Sequence, residues 1–426
     1  MNIMEKERKR EIILQIEKKA SEQIHVNPDY TFLLDYVILS YYLSVFDSKN
    51  TDFKTNKYFL KGKTVLDNII EDINKYQIPL GAWYGYTGIA YIINAYGGSD
   101  EYYNFLRKLN SFIKFQSHKM ISSYNWKKNG MFSGFYDLIN GVSGIGRYFI
   151  SFDRIDYNYL KFIINWIIGI VESSDKYESE PLEGFFIKKD KIVNPQYMIK
   201  YRAGYVDMGL SHGVIGCLFL LAKAKEAGVK IANLDKTIDI ITQRYLTFIE
   251  TSQDLFMFPT VLKKEDDGKF SPQYLRRSSW CYGSTGILRA LHLIGNMLGR
   301  RDIVSCVEQQ INLMGKVDIT EFGLECPTFC HGYSGLYHVL NLFEVESKSI
   351  SVDEQVKSLE DKIWNSGSKK NPYYFKKVDK NPDTGELIFN TLKMSSIDGV
   401  FSILIPYLIK EQKPDNDFFS KSLFLL

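Results

Sequence analysis

The sequence predicts an all-α protein, a ring of about seven inner helices, each paired with an outer helix and interrupted by short β-rich segments. Three observations predict it. A glycine pair recurs along the chain, each time followed by an apolar run of helical length. A second, more polar and amphipathic pattern follows most copies. The copies are unevenly spaced, as insertions into a closed ring would leave them. A tandem helical solenoid remains the alternative on periodicity alone.

The glycine copies are YGYTGIAYII from Tyr84, NGVSGIGRYF from Asn140, HGVIGCLFLLA from His212, YGSTGILRAL from Tyr282, HGYSGLYHVL from His331 and DGVFSILIPYL from Asp398. Their first glycines, Gly85, Gly141, Gly213, Gly283, Gly332 and Gly399, are 56, 72, 70, 49 and 67 residues apart. Ser402 stands where the last copy should have its second glycine. The run TFLLDYVILSYYLSVF from Thr31 reads as a seventh copy that has lost both. Glycine lets a loop and a helix start approach closely where inner helices crowd together.

The amphipathic partners are expected at Glu101 to Phe115, Tyr157 to Glu172, Asn233 to Glu250, Arg301 to Met314 and Ser351 to Trp364. Three segments break the alternation: 173–209, 252–280 and 366–395. Their Pro, Asp and Lys content and alternating aromatics (EGFFIKKDKIV, LFMFPTVLKK, GELIFNTLKM) predict short strands or hairpins. The expected organisation is one domain over residues 1–426, with strand-containing insertions at 173–209 and 252–280.

Hydrophobic residues at 45% and charged residues at 24% exclude a disordered chain. The 53 basic and 50 acidic residues are too balanced to predict a nucleic-acid partner. The mixed run KERKR near the N-terminus reads as a solvated helix face. Five cysteines without framework spacing suggest a reducing, cytoplasmic setting. No apolar stretch follows the first basic residues, so no secretory signal is expected. Tyr30 to Phe46 and Tyr159 to Val171, broken by Asp35 and Asn165, fall short of a bilayer span.

Two copies carry metal-ligand residues directly before their glycines: Cys281 in SSWCYGSTG, and Cys330 with His331 in PTFCHGYSG. If inner helices start on one rim, these three converge although 49 residues separate the cysteines. Two thiolates and an imidazole are the ligand set of a catalytic zinc site with a fourth position open. Packed core residues are the alternative, since a buried cysteine often serves as a small hydrophobe. His212 occupies the same repeat position and is the candidate for acid–base work, with a fourth metal ligand or a capping histidine as alternatives. His338, about 10 Å further along the helix from His331, reads as core packing. Cys217, Cys306 and Cys326 read as buried or incidental thiols.

The combination SHG, WCYG and CHG on six glycine-pair copies resembles the lanthionine synthetase C-like family over nearly the whole chain. It is most similar to the stand-alone cyclases of class I lantibiotics. The resemblance implies an (α/α) toroid of seven helix pairs, with an SH2-like extension in some members. It implies zinc held by Cys281, Cys330 and His331, with His212 as the central histidine. Asp137 in YDLINGVSG, Arg277 and Tyr282 match further positions of the family's site. The implied reaction adds peptide cysteine thiols to dehydroalanine and dehydrobutyrine, forming lanthionine and methyllanthionine. The implied partners are a dehydrated lantibiotic precursor peptide, a dehydratase and an ABC exporter in a membrane-associated complex.

In that chemistry His212 is expected to protonate the enolate left by thiol addition. Asp137 is expected to orient His212, and Arg277 or Tyr282 to stabilise negative charge. A prenyltransferase-like zinc toroid would use an Asp–Cys–His set, which the cysteine pair here opposes. A non-catalytic zinc-stabilised peptide scaffold is opposed by the retention of His212, Asp137 and Arg277. The FFIKKDKIV stretch, with Lys188, Lys189 and Lys191, is expected to form an edge strand able to take an extended leader peptide.

Overall fold

A computed structural model describes residues 3–26, 29–48, 52–97, 101–151, 156–174, 180–251, 258–275, 277–380 and 386–426. Parts of the three expected strand segments, 175–179, 252–257 and 381–385, lie outside the described residues. Two compact units are distinguished. One comprises Ile78–Tyr91, Ser99–Met314 and Ser420–Leu426, the other Met1–Gln77, Ile92–Gly98 and Gly315–Phe419.

In the first unit the helices Val142–Ile150, Val214–Glu226 and Ser284–Leu298 are buried along most of their length. Val214–Glu226 packs against both of the others. Helices so apolar on every side form only where they are enclosed. The expected partners appear as Tyr103–Ser123, Tyr157–Ser174, Leu234–Thr251 and Arg301–Met314. Each turns a stripe inward, as Leu106, Leu109, Ile113 and Ile121 do at helical spacing in the first of them.

The glycine motif explains itself locally. Gly141, Gly213 and Gly283 cap the buried helices without any side-chain cap bond. A Cβ on Gly213 would strike the backbone of Gly209, and one on Gly283, at φ +102°, the carbonyl of Arg277. In three copies the Ser or Thr between the glycines donates to a carbonyl seven residues earlier: Thr87 to Leu80, Ser143 to Tyr136 and Thr285 to Ser278. Each of these three folds its preceding loop back onto the helix start, whereas Ser334 donates to the carbonyl of Ser402.

Three strands stand beside these helices. β1 (Tyr205–Asp207), β2 (Pro259–Lys264) and β3 (Phe270–Tyr274) form an antiparallel sheet in that order, with Asp207 opposite Val261. The stretch FFIKKDKIV departs from the expected strand. It forms two 3-10 turns, Glu183–Phe185 and Lys189–Lys191, and touches the sheet through one bridge from Ile187 to Tyr205. Ile187 and Ile192 are five residues apart, which would put them on opposite faces of a strand. Both are buried in one small core with Tyr201, Tyr205 and Val261, so the chain must turn between them.

Residues Leu423 to Leu425 return to this unit. The buried guanidinium of Arg289 donates from Nε (2.9 Å) and Nη2 (2.7 Å) to the carbonyl of Leu425. Trp280 donates from its ring nitrogen to the carbonyl of Leu423, anchoring the residue before Cys281.

In the second unit, Tyr30–Ser48, Tyr333–Glu346 and Phe401–Glu411 are the buried helices, and Phe401–Glu411 packs against the other two. The amphipathic helices are Ile3–Gln23, Lys57–Glu71 and Asp353–Asn365. The run Tyr30–Ser48 is a buried helix as its apolar sequence predicts, although it lacks both glycines. Ser402 does more than replace a glycine: its hydroxyl accepts the N–H of Phe329, tying the last copy to the loop before Cys330. A hairpin of β4 (Lys376–Lys380) and β5 (Leu387–Thr391) completes this unit.

The KERKR run departs from a solvated face, because Lys9 is only 2% exposed and bonds Glu360 at 2.8 Å. No helix among the described residues is long and apolar enough to cross a membrane. None of the five cysteines forms a disulfide.

Candidate active site

The residue directly before each first glycine sits at the mouth of a helix start, and neighbouring mouths are stitched by backbone hydrogen bonds. In the first unit Trp83 N–H donates to Ile139, Leu138 to Ser211, and Leu210 to Cys281. In the second, Cys330 N–H donates to Ile397. Repeat equivalence therefore becomes spatial adjacency. His212 follows Ser211 in one stitched loop, and Asp137 precedes Leu138 in the next.

His212 and Asp137 are brought together as expected. Nδ1 of His212 lies 2.6 Å from Oδ2 of Asp137, which is fully buried. The other oxygen of Asp137 accepts the N–H groups of Asn140 (2.6 Å) and Gly141 (2.8 Å). With that oxygen committed to two backbone donors and Oδ2 facing the ring, Nδ1 of His212 is the donor of the 2.6 Å bond and Nε2 is the nitrogen left to exchange protons. Burial opposes charge on the ring. The bond to Asp137 and the negative charges of Asp137, Asp207 and Cys281 outweigh it, raising the pKa to about 9.

Tyr282 and Asp207 form a second pair. The phenol donates to Oδ2 of Asp207 at 2.8 Å, and Oδ1 accepts the N–H of Gly209 at 3.0 Å. Burial pushes the Asp207 pKa up to about 6, against the charge of His212 and these two hydrogen bonds. Asp207 escaped the sequence reading. Its signal was an acid inside the apolar run YVDMG just before SHG.

Arg277 is half-buried, and its Nε is a buried donor with no hydrogen-bond partner among the described residues. Its charge reaches Tyr197, whose pKa burial pushes up to about 12 while Arg277 draws it back. Asp207, His212, Tyr282 and Tyr197 line one cavity of about 780 Å³.

Cys281 stands at a helix start of the first unit, and Cys330 with His331 at one of the second; together they offer two sulfurs and a ring nitrogen. Soft donors in this number fit zinc with a position left open. Nε2 of His331 lies 3.5 Å from Oδ1 of Asp398, which also accepts from the Thr328 hydroxyl at 3.3 Å. Asp398 was overlooked in the sequence, though it stands directly before Gly399 just as His331 stands before Gly332. Cys217 and His338 are buried core residues, as expected, and burial raises the Cys217 thiol to about 12.

The family described as lanthionine synthetase C-like protein matches residues 37–384. The nisin biosynthesis protein NisC of Lactococcus lactis subsp. lactis is 27% identical over 312 residues, covering 71% of each chain. A solved structure of nisin cyclase superposes with a TM-score of 0.71 at 22% identity, covering 90% of this chain and 89% of that one. That likeness shows the fold to be the (α/α) toroid that the helix alternation predicts. The chain belongs to the lanthionine synthetase C-like family.

Proposed function

We propose that the protein is a lantibiotic cyclase. It adds cysteine thiols to dehydroalanine and dehydrobutyrine in a dehydrated precursor peptide, closing lanthionine and methyllanthionine rings. The observation that carries this reading is His212, oriented by buried Asp137 and opening on the cavity that Tyr282 also lines. Zinc is proposed at Cys281, Cys330 and His331, where it supplies Lewis acidity that makes thiols more acidic.

The chain's own groups do the rest. The sulfur adds to the β-carbon of the dehydro residue, moving the double-bond electrons onto the carbonyl as an enolate. His212, charged at neutral pH, gives its Nε2 proton to the α-carbon, so the thiol proton lost is replaced and mass is unchanged. Asp137 holds the ring through Nδ1, as an orienting carboxylate does beside a catalytic histidine. Arg277 is proposed to contribute its positive charge toward the enolate. Tyr282 acts through Asp207, because its hydrogen is already committed there.

The substrate must come from a dehydrating reaction on Ser and Thr, so a dehydratase is the proposed upstream partner. An ABC exporter is the proposed downstream one, with cytoplasmic work at the membrane surface. A single toroid domain with insertions at 173–209 and 252–280 is the proposed organisation.

The test is mass spectrometry with thiol capping. A dehydrated precursor incubated with the protein should lose alkylatable thiols at unchanged mass. Thiols that stay alkylatable, with zinc present, overturn the cyclase reading.

A further inference from the structure

The cavity that holds Asp207, His212 and Tyr282 is larger than their chemistry needs. At about 780 Å³ it has the size of sites that enclose a ligand well beyond two reacting side chains. Away from those residues its wall includes Phe132, Phe135, Val193 and Tyr197, with Ser133, Asn140 and Asn194 as neutral polar groups beside them. Among the described lining residues, only Lys191, Asp207 and His212 carry charge at neutral pH. Each is already engaged. Lys191 pairs with Asp190 at 3.3 Å and lies 5.4 Å from the Phe132 ring. Asp207 is bonded to Tyr282 and Gly209, and His212 to Asp137. A charged side chain entering here would lose water and meet no unengaged opposite charge, whereas an apolar one would be buried against rings.

Val193 gives the wall a second feature. It is 86% exposed, and Ile199, six residues on, is 71% exposed. An aliphatic side chain held open to solvent at the edge of a catalytic cavity is surface for a ligand to cover.

Resting on the cyclase reading, we propose that Phe132, Phe135, Val193 and Tyr197 form a subsite of the substrate peptide. It takes a large uncharged side chain, such as Leu, Ile, Met or Phe, from the residue next to the reacting cysteine. The occupant is the precursor itself, because the subsite is continuous with the wall that carries His212 and Tyr282. By admitting some neighbours and rejecting others, this wall selects which cysteine is presented for ring closure.

The experiment uses the full chain with zinc and two synthetic peptides. Each carries one dehydroalanine and one cysteine, and they differ only in having Leu or Glu before the cysteine. Initial rates of thiol loss, less the rate without protein, give kcat/KM. The Leu peptide should be favoured by about tenfold or more, the scale on which one pocket contact discriminates. Val193→Lys, at an exposed position that leaves the core intact, should bring the two within about threefold, losing on Leu and gaining on Glu. Phe132→Ala should narrow the ratio through Leu alone. Equal rates in the wild type, or an unchanged ratio in both variants, overturn the subsite while the cyclase reading stands. If the wild type cyclises neither peptide, the cyclase reading falls and the subsite with it.

Discussion

Tyr282 gives its only hydroxyl hydrogen to Asp207, a carboxylate that is 2% exposed and draws its other hydrogen bond from Gly209. The phenol therefore shields a buried charge. Tyr282→Phe should leave Asp207 short of a donor and raise its pKa further above the present value of about 6. A raised carboxyl pKa leaves full stability only below the unfolded value and removes it as pH climbs through the folded one. The variant's deficit in melting temperature should thus be small at pH 5 and larger at pH 8. Calorimetry showing equal deficits at both would refute the assignment.

His212→Asn should keep its fold and zinc while ring formation drops by roughly a hundredfold or more, the span of a lost general acid. Slow, less regular rings would remain, since an activated thiol adds to a dehydro residue unaided. Tyr282→Phe should cost less than about tenfold in the same assay, because its hydrogen does not face the reaction. Zinc loss in His212→Asn would make this histidine a ligand instead.

Asp137 contributes most of the upward pull on His212. A proton donor works while protonated, so wild-type rates should hold through neutrality and fall as pH rises through about 9. Asp137→Asn should move that fall to lower pH as well as lower the plateau. A pH–rate profile with an unmoved alkaline limb would show that Asp137 is only structural.

Metal analysis should find about one zinc per chain, most of it lost in Cys330→Ala and in Cys281→Ala. Asp398, beside Nε2 of His331, is placed to hold that ring's orientation. Asp398→Asn should retain the site but weaken it by about 10- to 100-fold in chelator competition, the usual effect of removing a ligand's supporting carboxylate. Wild-type affinity in that variant would leave Asp398 without a part in the metal site.

Glu360 sits between Lys9 and Lys410, at 2.8 Å from each, and also accepts from the Tyr337 hydroxyl. Burial opposes its charge, but the two lysines hold its pKa below the usual carboxylate range. A depressed carboxyl stabilises above its unfolded pKa and loses that contribution as pH falls through the folded one. Glu360→Gln, which leaves buried Lys9 with Glu5 at 2.9 Å as its remaining carboxylate partner, should cost about 1–3 kcal/mol near neutrality, with the gap closing in acid. Denaturant titrations at pH 7 and pH 3 that give one unchanged difference would contradict this.

Much of the molecule was legible in the chain. The buried and amphipathic helices follow from hydrophobic period, which is a local property of each segment. The candidate ligands and His212 were found because a repeated motif puts equivalent residues at equivalent helix starts, and within each unit stitched loops turn equivalence into proximity. The same rule reached Asp398 only after the structure was seen.

Period and repetition say nothing about partners outside the motif, and there the tertiary structure decided. Asp207 meets Tyr282 across 75 residues, and Lys9 meets Glu360 across 351. KERKR reads as a wet helix face because its charges are visible in the sequence and the buried carboxylate that receives Lys9 is not. FFIKKDKIV reads as a strand by composition, yet the burial of Ile187 and Ile192 in one core bends it into turns. A side chain's chemical type is written in the sequence. Its protonation, burial and hydrogen-bond partner depend on the groups that folding packs around it, and those come from distant parts of the chain.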